Sequence, residues 1–312
     1  MKIIVIIVTY NGINCIEECL ESVLSSTLVP DIYIIDNNSK DGTVNLITEK
    51  YSSKLTLHQT TENLGFGKGN NIGLSYSLKN QYDYTILLNQ DAYLDKDTIE
   101  KLVSASESNS EFGILSPIHL TKDRNLLEYY FATFVNHKIN PSFYSDFILG
   151  NKIQDVYSFP FISAAIWLLP KKSLATIGGF DPIFWHYGED DNFCQRVIYH
   201  NLKIGVVSNA FARHDTRIRI QENSYKYSEK YYLDYQKNLQ CKYANINYDY
   251  NFSLFVKFER NKIIKNLITS LFSFKTKEVV SSIRLMKLLQ KEIPLIKKSR
   301  AINKNKSPNY IS

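Results

Sequence analysis

Short apolar runs rich in β-branched residues alternate with segments of helical periodicity over the first ninety residues of the chain. Each run ends in polar, loop-forming residues, which is typical of strands buried on both faces of a parallel sheet. The predicted strands are residues 2–8, 31–35, 54–58 and 85–88. Helical spacing recurs between them, over 17–25 and 43–51, and a further helix is expected after Gly73. This alternation predicts an α/β fold with a mostly parallel sheet flanked by helices.

The later part of the chain is less regular. Two more strands are predicted, over 161–169 and 204–207. Before them, residues 111–159 are rich in aromatic side chains without a clear period. Such rings suit a protein core and a sugar-binding surface equally well, so this region identifies no single functional residue.

The strand over 85–88 ends in Asn89-Gln90-Asp91. Positions i and i+2 of an extended chain point to the same side, so Asn89 and Asp91 are expected to face the same space beyond the strand. Ligands of open α/β sheets bind at this end of the strands. A carboxylate there suits a divalent cation that also holds phosphates, although turn chemistry explains the same residues equally well.

Four glycines, Gly65, Gly67, Gly69 and Gly73, form the second distinctive segment. Their spacing fits neither the dinucleotide-binding fingerprint nor the P-loop, which argues against a nicotinamide dehydrogenase and a P-loop nucleotidase. The glycines indicate either a backbone that passes close to a neighbouring group beside a helix N-terminus or a flexible turn.

Three consecutive carboxylates, Glu189, Asp190 and Asp191, begin a predicted helix. They are explained either by the favourable helix dipole or by the need for a general base. His214 follows the predicted strand over 204–207 and is either structural or a metal ligand. Arg213 beside it adds positive charge where phosphates would lie.

The chain has 312 residues, 44% of them hydrophobic, which allows one large α/β domain and a smaller appendage. Its four cysteines form no CxxC pair and no zinc-binding spacing, which favours a reducing compartment. No signal peptide is expected, because the apolar run after Lys2 is too short. We therefore expect a cytoplasmic protein, either soluble or peripheral on the inner face of the cell membrane.

Charge is distributed unevenly along the chain. From residue 251 onward there are fourteen Lys and Arg against three Glu, whereas the first 250 residues carry a net charge of −5. Apolar residues recur at helical spacing among the lysines over 252–274 and 279–289. A basic amphipathic helix suits an anionic membrane surface; a helical cap on the main domain or a homodimer contact is an equal alternative. Residues 297–312 are predicted to be disordered.

Five blocks of the sequence resemble inverting glycosyltransferases of family 2, in the order found in that family. They are Val8-Thr9-Tyr10-Asn11, Asp36-Asn37-Asn38-Ser39 with Asp41-Gly42-Thr43, Asn63-Leu64-Gly65-Phe66-Gly67 with Gly69-Asn70-Asn71, Leu87-Leu88-Asn89-Gln90-Asp91, and Glu189-Asp190. The chain looks most like the bacterial rhamnosyltransferase-like members. The resemblance implies a GT-A catalytic domain over 1–220, with a nucleotide-binding half (1–110) and an acceptor half (111–220). A helical C-terminal extension over 221–296 and the tail would follow.

The resemblance also implies roles for individual residues. Those expected to border the nucleotide sugar are Thr9, Tyr10, Asn11, Asp36, Asn63, Gly65, Gly69, Asn70 and Asn89. Among them, Asp36 is expected to hydrogen-bond the base. Asn89 stands where the family has the first carboxylate of its Asp-x-Asp motif, so it is expected to contact ribose or water.

The reacting centre is implied in the same way. Asp91 and His214 would hold Mg²⁺ or Mn²⁺, which neutralises the departing diphosphate as a Lewis acid. Asp190 would be the general base and Glu189 would orient it or bind the acceptor, although the register leaves Asp191 open as the base. Asp191 and Arg213 complete the expected substrate-binding residues.

The predicted function is transfer of a sugar, with inversion, from dTDP-rhamnose or a UDP-sugar to a surface or lipid-linked glycan. A nucleotidyltransferase is less well supported, because Val8 to Gly12 lacks a glycine- and arginine-rich triphosphate loop. The remaining alternative is a non-catalytic nucleotide-sugar-binding or membrane-associated scaffold protein. Nucleic acid is not an expected partner, since no recognition motif accompanies the basic segment.

Overall fold

A nine-stranded mixed sheet, counted over the described residues, organises the first of two compact units into which contacts divide the chain. The units are Met1–Ile218 with Lys306–Ser312, and Arg219–Asn305. The structure, a computed structural model, describes residues 1–185, 187–216 and 226–311. The boundary predicted after residue 220 therefore lies outside the described residues.

The sheet has a parallel half and a mixed half. Its strands are β1 (Ile3–Thr9), β2 (Asp31–Asp36), β3 (Thr56–Gln59), β4 (Tyr84–Asn89), β5 (Ala92–Leu94), β6 (Phe112–Leu120), β7 (Val156–Ser158), β8 (Ile166–Pro170) and β9 (Lys203–His214). They are ordered β3-β2-β1-β4-β8-β6-β9-β5, and β7 pairs with β9. β1 is parallel to β2 and β4, as the alternating pattern predicts. β8 then runs antiparallel between β4 and β6.

Helices pack on both faces of this sheet. They are α1 (Ile16–Leu24), α2 (Thr43–Tyr51), α3 (Gly65–Lys79), α4 (Thr98–Ser108), α5 (Tyr129–Phe134), α6 (Pro141–Leu149), α7 (Lys171–Ile177) and α8 (Glu189–Tyr199). Along β1, Val5 and Ile7 enter the apolar layer that α1, α2 and α4 contribute to, whereas Ile4 and Ile6 enter the layer that includes residues of α3, α7 and α8. The predicted fold class is confirmed.

Two strands of the mixed half of the sheet differ in length from their predictions. Residues 161–165 lie outside the sheet, and β8 begins only at Ile166. β9 runs on past the predicted end at residue 207 to His214, because its second half pairs with β5 and β6. His214 is therefore the last residue of a strand rather than part of the following loop.

The aromatic-rich region forms β6, α5, α6 and β7. Phe143 makes edge-to-face contacts with Tyr157 and Phe159, with ring centroids 5.2 and 5.7 Å apart. All three rings are buried, so for them the core explanation holds.

The glycine-rich segment is part of α3 rather than a loop before it. The close approach of its backbone is to β1: a Cβ on Gly73 would lie 2.5 Å from Ile6 Cγ2, and one on Gly69 would lie 3.0 Å from Val8 Cγ1. These glycines therefore let α3 pack directly on the sheet. The alternative of a flexible turn is wrong.

The second unit consists, in its described part, of α9 (Glu229–Tyr243), α10 (Phe252–Phe272) and α11 (Thr276–Asn303). The buried carboxylate of Glu292 accepts hydrogen bonds from Gln236 and Gln240, both at 2.8 Å. Within the described residues, none of the helices is long and apolar enough to cross a membrane.

The predicted disordered tail is ordered instead. α11 continues to Asn303, because Ile296 and Asn303 are buried. The residues after it belong to the first unit, where Ile311 is buried and the Asn309 carbonyl accepts a hydrogen bond from the Gly179 N–H at 2.8 Å. The many lysines of this tail predicted a solvated, disordered segment. Buried residues beside the lysines, such as Ile311, keep the tail ordered instead.

Replacing Gly178 with alanine is expected to lower the free energy of unfolding by about 3 kcal/mol. Gly178 has φ 77° and ψ −150°, which is open essentially to glycine alone, and an added Cβ would collide with the backbone of Asn309. Gly150 is the matched control: its φ is also positive, at 67°, but nothing lies within 4 Å of an added Cβ. Gly150→Ala should cost about 1 kcal/mol. Urea unfolding measures both losses, and equal values would contradict the packing described for the tail.

Candidate active site

Gln90 joins the ends of β1 and β4 at the carboxyl edge of the parallel strands. Its Oε1 accepts hydrogen bonds from the Thr9 hydroxyl at 2.6 Å and from the Tyr10 backbone N–H at 3.0 Å. Because side chains alternate along the chain, Gln90 turns back into the protein between Asn89 and Asp91. The sequence analysis gave Gln90 no role, although this alternation could have identified it.

The loops after β1 and β2 hold each other. The Asn11 side-chain oxygen accepts the Lys40 backbone N–H at 2.8 Å, and the Asn11 backbone N–H donates to the Ser39 hydroxyl at 2.9 Å. Asp36, at the end of β2, is 2% exposed, and its Oδ2 accepts the Ser39 N–H at 3.0 Å. Its Oδ1 has no hydrogen-bond partner among the described residues. A buried oxygen in that state is costly and indicates a place for a donor group of a ligand.

The start of α3 lies beside the loop that precedes α8. Asn63 accepts the Gly65 N–H at 2.9 Å, and Gly65 has a φ of 78°. A Cβ at Gly65 would lie 2.6 Å from the Trp185 carbonyl oxygen, so only glycine lets the two segments meet. Asn70 donates to the Phe66 carbonyl within α3 at 3.0 Å. Gly65, Gly69 and Asn70, expected around the donor, therefore all make close contacts within the protein.

Asp91 and His214 come together although 123 positions separate them in the sequence. β5 pairs with the end of β9, and the Asp215 N–H donates to the Asp91 carbonyl at 2.9 Å. This places Asp91 Oδ1 3.5 Å from His214 Nε2, with the Asn89 side-chain nitrogen 3.4 Å from the same imidazole atom. Ligand atoms that share a cation at about 2.1–2.2 Å lie about 3–3.5 Å apart, so the pair fits a divalent metal ion.

A buried polar cluster lies behind His214. His119, Glu128 and His214 each offer a ligand atom within 4.8 Å of the others. Nδ1 of both histidines has no hydrogen-bond partner among the described residues. Burial, followed by the charge of His214, lowers the pKa of His119 well below its usual 6.5, so this imidazole is neutral. Sequence reasoning missed His119 and Glu128, because β6 and α5 were not recognised.

Asp190 lies in the first turn of α8, where Gly188 takes a left-handed conformation with φ 96°. Its Oδ1 accepts the Asp191 N–H at 2.9 Å. Burial, and then the charge of Asp191, raise the pKa of Asp190 to about 6, although backbone N–H groups including that of Ala164 partly offset this. A carboxylate with such a pKa is well matched to accept a proton near neutral pH.

The turn at Ala164 and Ala165 connects the two acidic centres. The Ala165 carbonyl accepts the Asn89 N–H at 2.9 Å, while the neighbouring Ala164 N–H lowers the pKa of Asp190. Asp91, two residues beyond Asn89, and Asp190 therefore lie at the same edge of the sheet. Glu189 is buried near Gly67, whose added Cβ would lie 3.7 Å from that of Glu189.

Arg213 and Arg196 both have partners within the protein. Arg213, expected to bind substrate, pairs with Glu18 at 2.9 Å and lies over the Tyr93 ring. It therefore does not join the Asp91–His214 group in this structure. The buried Arg196 donates to the carbonyls of Ile177 and Gly179, both at 2.7 Å, and so anchors α8 to the preceding turn.

A nucleotide-binding parallel half joined to a second half through an antiparallel strand, with polar residues gathered at the shared edge, is the architecture of GT-A glycosyltransferases. The chain belongs to glycosyl transferase family 2, whose family model matches residues 4–178. A second model, described as the N-terminal domain of galactosyltransferase, matches residues 152–221. The family membership predicted from the five sequence blocks is confirmed.

Individual relatives are distant. The low-salt glycan biosynthesis hexosyltransferase Agl10 of Haloferax volcanii is 24% identical over 242 residues, 74% of this chain and 72% of its own. Residues 1–349 of S. aureus TarS superpose with a TM-score of 0.56 at 17% identity, over 97% of this chain and 88% of theirs. GalNAc-T7, solved with UDP, GalNAc and Mn²⁺, gives 0.55 at 14% identity over 70% of this chain. This chain spans only 44% of GalNAc-T7, and likenesses at this identity show the fold alone.

Proposed function

We propose that this glycosyltransferase moves a sugar, with inversion, from a nucleotide diphosphate to a hydroxyl group of a growing glycan. The observation that carries the proposal is the convergence of Asp91, His214 and Asp190 at one edge of the sheet, described above. Transfer with inversion needs a base on the acceptor side and a group that stabilises the diphosphate on the other side. Two acidic centres at one edge can supply both functions.

Asp190 is the proposed general base. With a pKa of about 6, the Asp190 side chain is still ionised at neutral pH. Its affinity for a proton is nevertheless higher than that of an ordinary carboxylate, so it can accept the proton of the acceptor hydroxyl. The Asp191 N–H, which donates to Oδ1 at 2.9 Å, holds the carboxylate in place. Glu189 is proposed to orient this turn or to bind the acceptor.

Asp91 and His214 are the proposed ligands of Mg²⁺ or Mn²⁺. When bound, the cation would neutralise charge on the departing diphosphate. Their separation of 3.5 Å and the half-exposed position of Asp91 support this role. GalNAc-T7, which shares the fold, was solved with Mn²⁺.

The donor is proposed to carry thymine or uracil. The unpartnered Oδ1 of Asp36 can accept the imide N–H that both bases present, with Thr9 at the end of β1 and Tyr10 and Asn11 on the loop that follows. dTDP-rhamnose is the first candidate, from the resemblance to rhamnosyltransferases, and UDP-sugars are the second. A lipid-linked or surface glycan is the proposed acceptor, in keeping with the glycan-biosynthesis name of the Agl10 relative.

Asp190→Asn is expected to lower kcat by about 10²–10⁴-fold while nucleotide affinity changes less than about twofold.

Asp191→Asn is the matched control one residue away. It should keep most activity and move the acid limb of the pH profile below its wild-type position near pH 6, because a charge that raises the pKa of Asp190 is removed. In the wild type, kcat should fall about tenfold per pH unit below that limb as the base becomes protonated. If Asp191→Asn lost transfer and Asp190→Asn kept it, the base would be Asp191.

Thymidine and uridine diphosphates should stabilise the protein against heat more than guanosine diphosphate, with Mn²⁺ present throughout. At a ligand concentration of about 100 Kd the expected gain is about 2.7 kcal/mol. Asp36→Ala should remove this preference and change the melting temperature of the free protein only slightly, because it deletes the buried, unpaired Oδ1 together with the hydrogen bond that Oδ2 accepts from the Ser39 N–H. Equal stabilisation by all three nucleotides in the wild type would refute the assignment of Asp36. Turnover of dTDP-rhamnose against UDP-sugars then identifies the sugar.

A further inference from the structure

The turn between α10 and α11 carries two highly exposed aromatic side chains. Phe272 is 82% exposed and Phe274 is 91% exposed. The turn itself is held firmly: the Lys275 N–H donates to the Ser270 carbonyl at 2.9 Å, and the Ser270 hydroxyl donates to Glu278 at 3.0 Å. The two rings are therefore displayed by a hydrogen-bonded turn and not by a frayed helix end.

The exposed apolar surface continues along α10. Leu254, Phe258 and Ile268 are 62%, 63% and 47% exposed, and their spacing places them on one face of the helix with Phe272. The buried positions of α10, such as Ile263, lie on the opposite face. We call residues 271–277 the apolar tip and this face of α10 the apolar stripe.

The exposed charges along α10 and the turn after it are basic. Over residues 252–277, all of which are described, every exposed charged side chain is basic: Lys257, Arg260, Lys262, Lys265, Lys275 and Lys277. None of the six has a salt bridge to another described residue. The one acidic residue of the range, Glu259, is buried and accepts a hydrogen bond from Tyr243 at 3.0 Å.

The combination of exposed apolar and basic side chains distinguishes between two binding partners considered from the sequence, an anionic membrane and a second copy of the chain. Charged residues are depleted at the centre of protein–protein interfaces, so a homodimer contact through this surface would be expected to lack lysines there. An anionic lipid surface suits both kinds of side chain. The aromatic and aliphatic side chains enter the headgroup region, and the lysines lie among the phosphates. We propose that the apolar tip and stripe bind the surface of an anionic membrane. The inference goes beyond the transferase chemistry and does not depend on it.

The test is flotation of the full chain with vesicles of phosphatidylcholine alone or with about 30% phosphatidylglycerol. Binding to the anionic vesicles should be at least about tenfold stronger and should weaken with added salt. The double variant Phe272→Ser and Phe274→Ser should lose at least about tenfold in binding. Ile148→Ser with Leu149→Ser is the matched control, because these α6 side chains are 77% and 71% exposed but lie in the first unit; it should bind like the wild type.

Three outcomes would overturn the proposal: equal binding to neutral and anionic vesicles, unchanged flotation of the double phenylalanine variant, or equal loss in the control. Sedimentation velocity without lipid is measured in parallel, and self-association lost in the Phe272 and Phe274 variant would identify a second copy as the occupant instead. Nucleotide binding by the same variant separates the two proposals. If it is unchanged while flotation is lost, the membrane surface is supported independently of the donor site.

Discussion

The antiparallel pairing of β4 with β8 is the constraint on which the rest of the site depends. β4 closes the parallel half of the sheet and ends at Asn89, whereas β8 opens the mixed half after the turn at Ala164 and Ala165. The Ala165 carbonyl accepts the Asn89 N–H, and the Ala164 N–H lowers the pKa of the Asp190 carboxyl. A register shift of one residue would turn every side chain of β8 to the other face and separate these contacts.

The same edge collects groups whose hydrogen-bonding capacity is not used within the described protein. Asp36 Oδ1 and Nδ1 of both His119 and His214 are buried and unpartnered there. Each such group costs about 1–3 kcal/mol relative to a satisfied one. Such groups raise the free energy of the unliganded protein, and partners supplied by a ligand would offset that cost. The apolar layers on both sides of β1 offset this cost.

The parallel half could be predicted from sequence to within about two residues per strand, because strands buried on both faces are continuous apolar runs. The mixed half of the sheet and its helices could not be predicted in this way. Its aromatic residues have no period, so β6, α5, α6 and β7 were not recognised, and the cluster of His119 and Glu128 behind His214 remained hidden. Side-chain contacts between residues far apart in the sequence could not be predicted, for a related reason. The ion pair of Arg213 with Glu18, 195 positions apart, depends on how β9 meets α1, which no local pattern encodes.

The most direct test of the convergence of the acidic centres is anomalous diffraction from crystals containing Mn²⁺ and uridine diphosphate. The account predicts a manganese peak about 2.2 Å from both Asp91 Oδ1 and His214 Nε2, with the diphosphate bound to it and the Asp190 carboxylate lining the same cleft. A manganese ion bound away from Asp91, or a nucleotide cleft that the Asp190 carboxylate does not line, would contradict it.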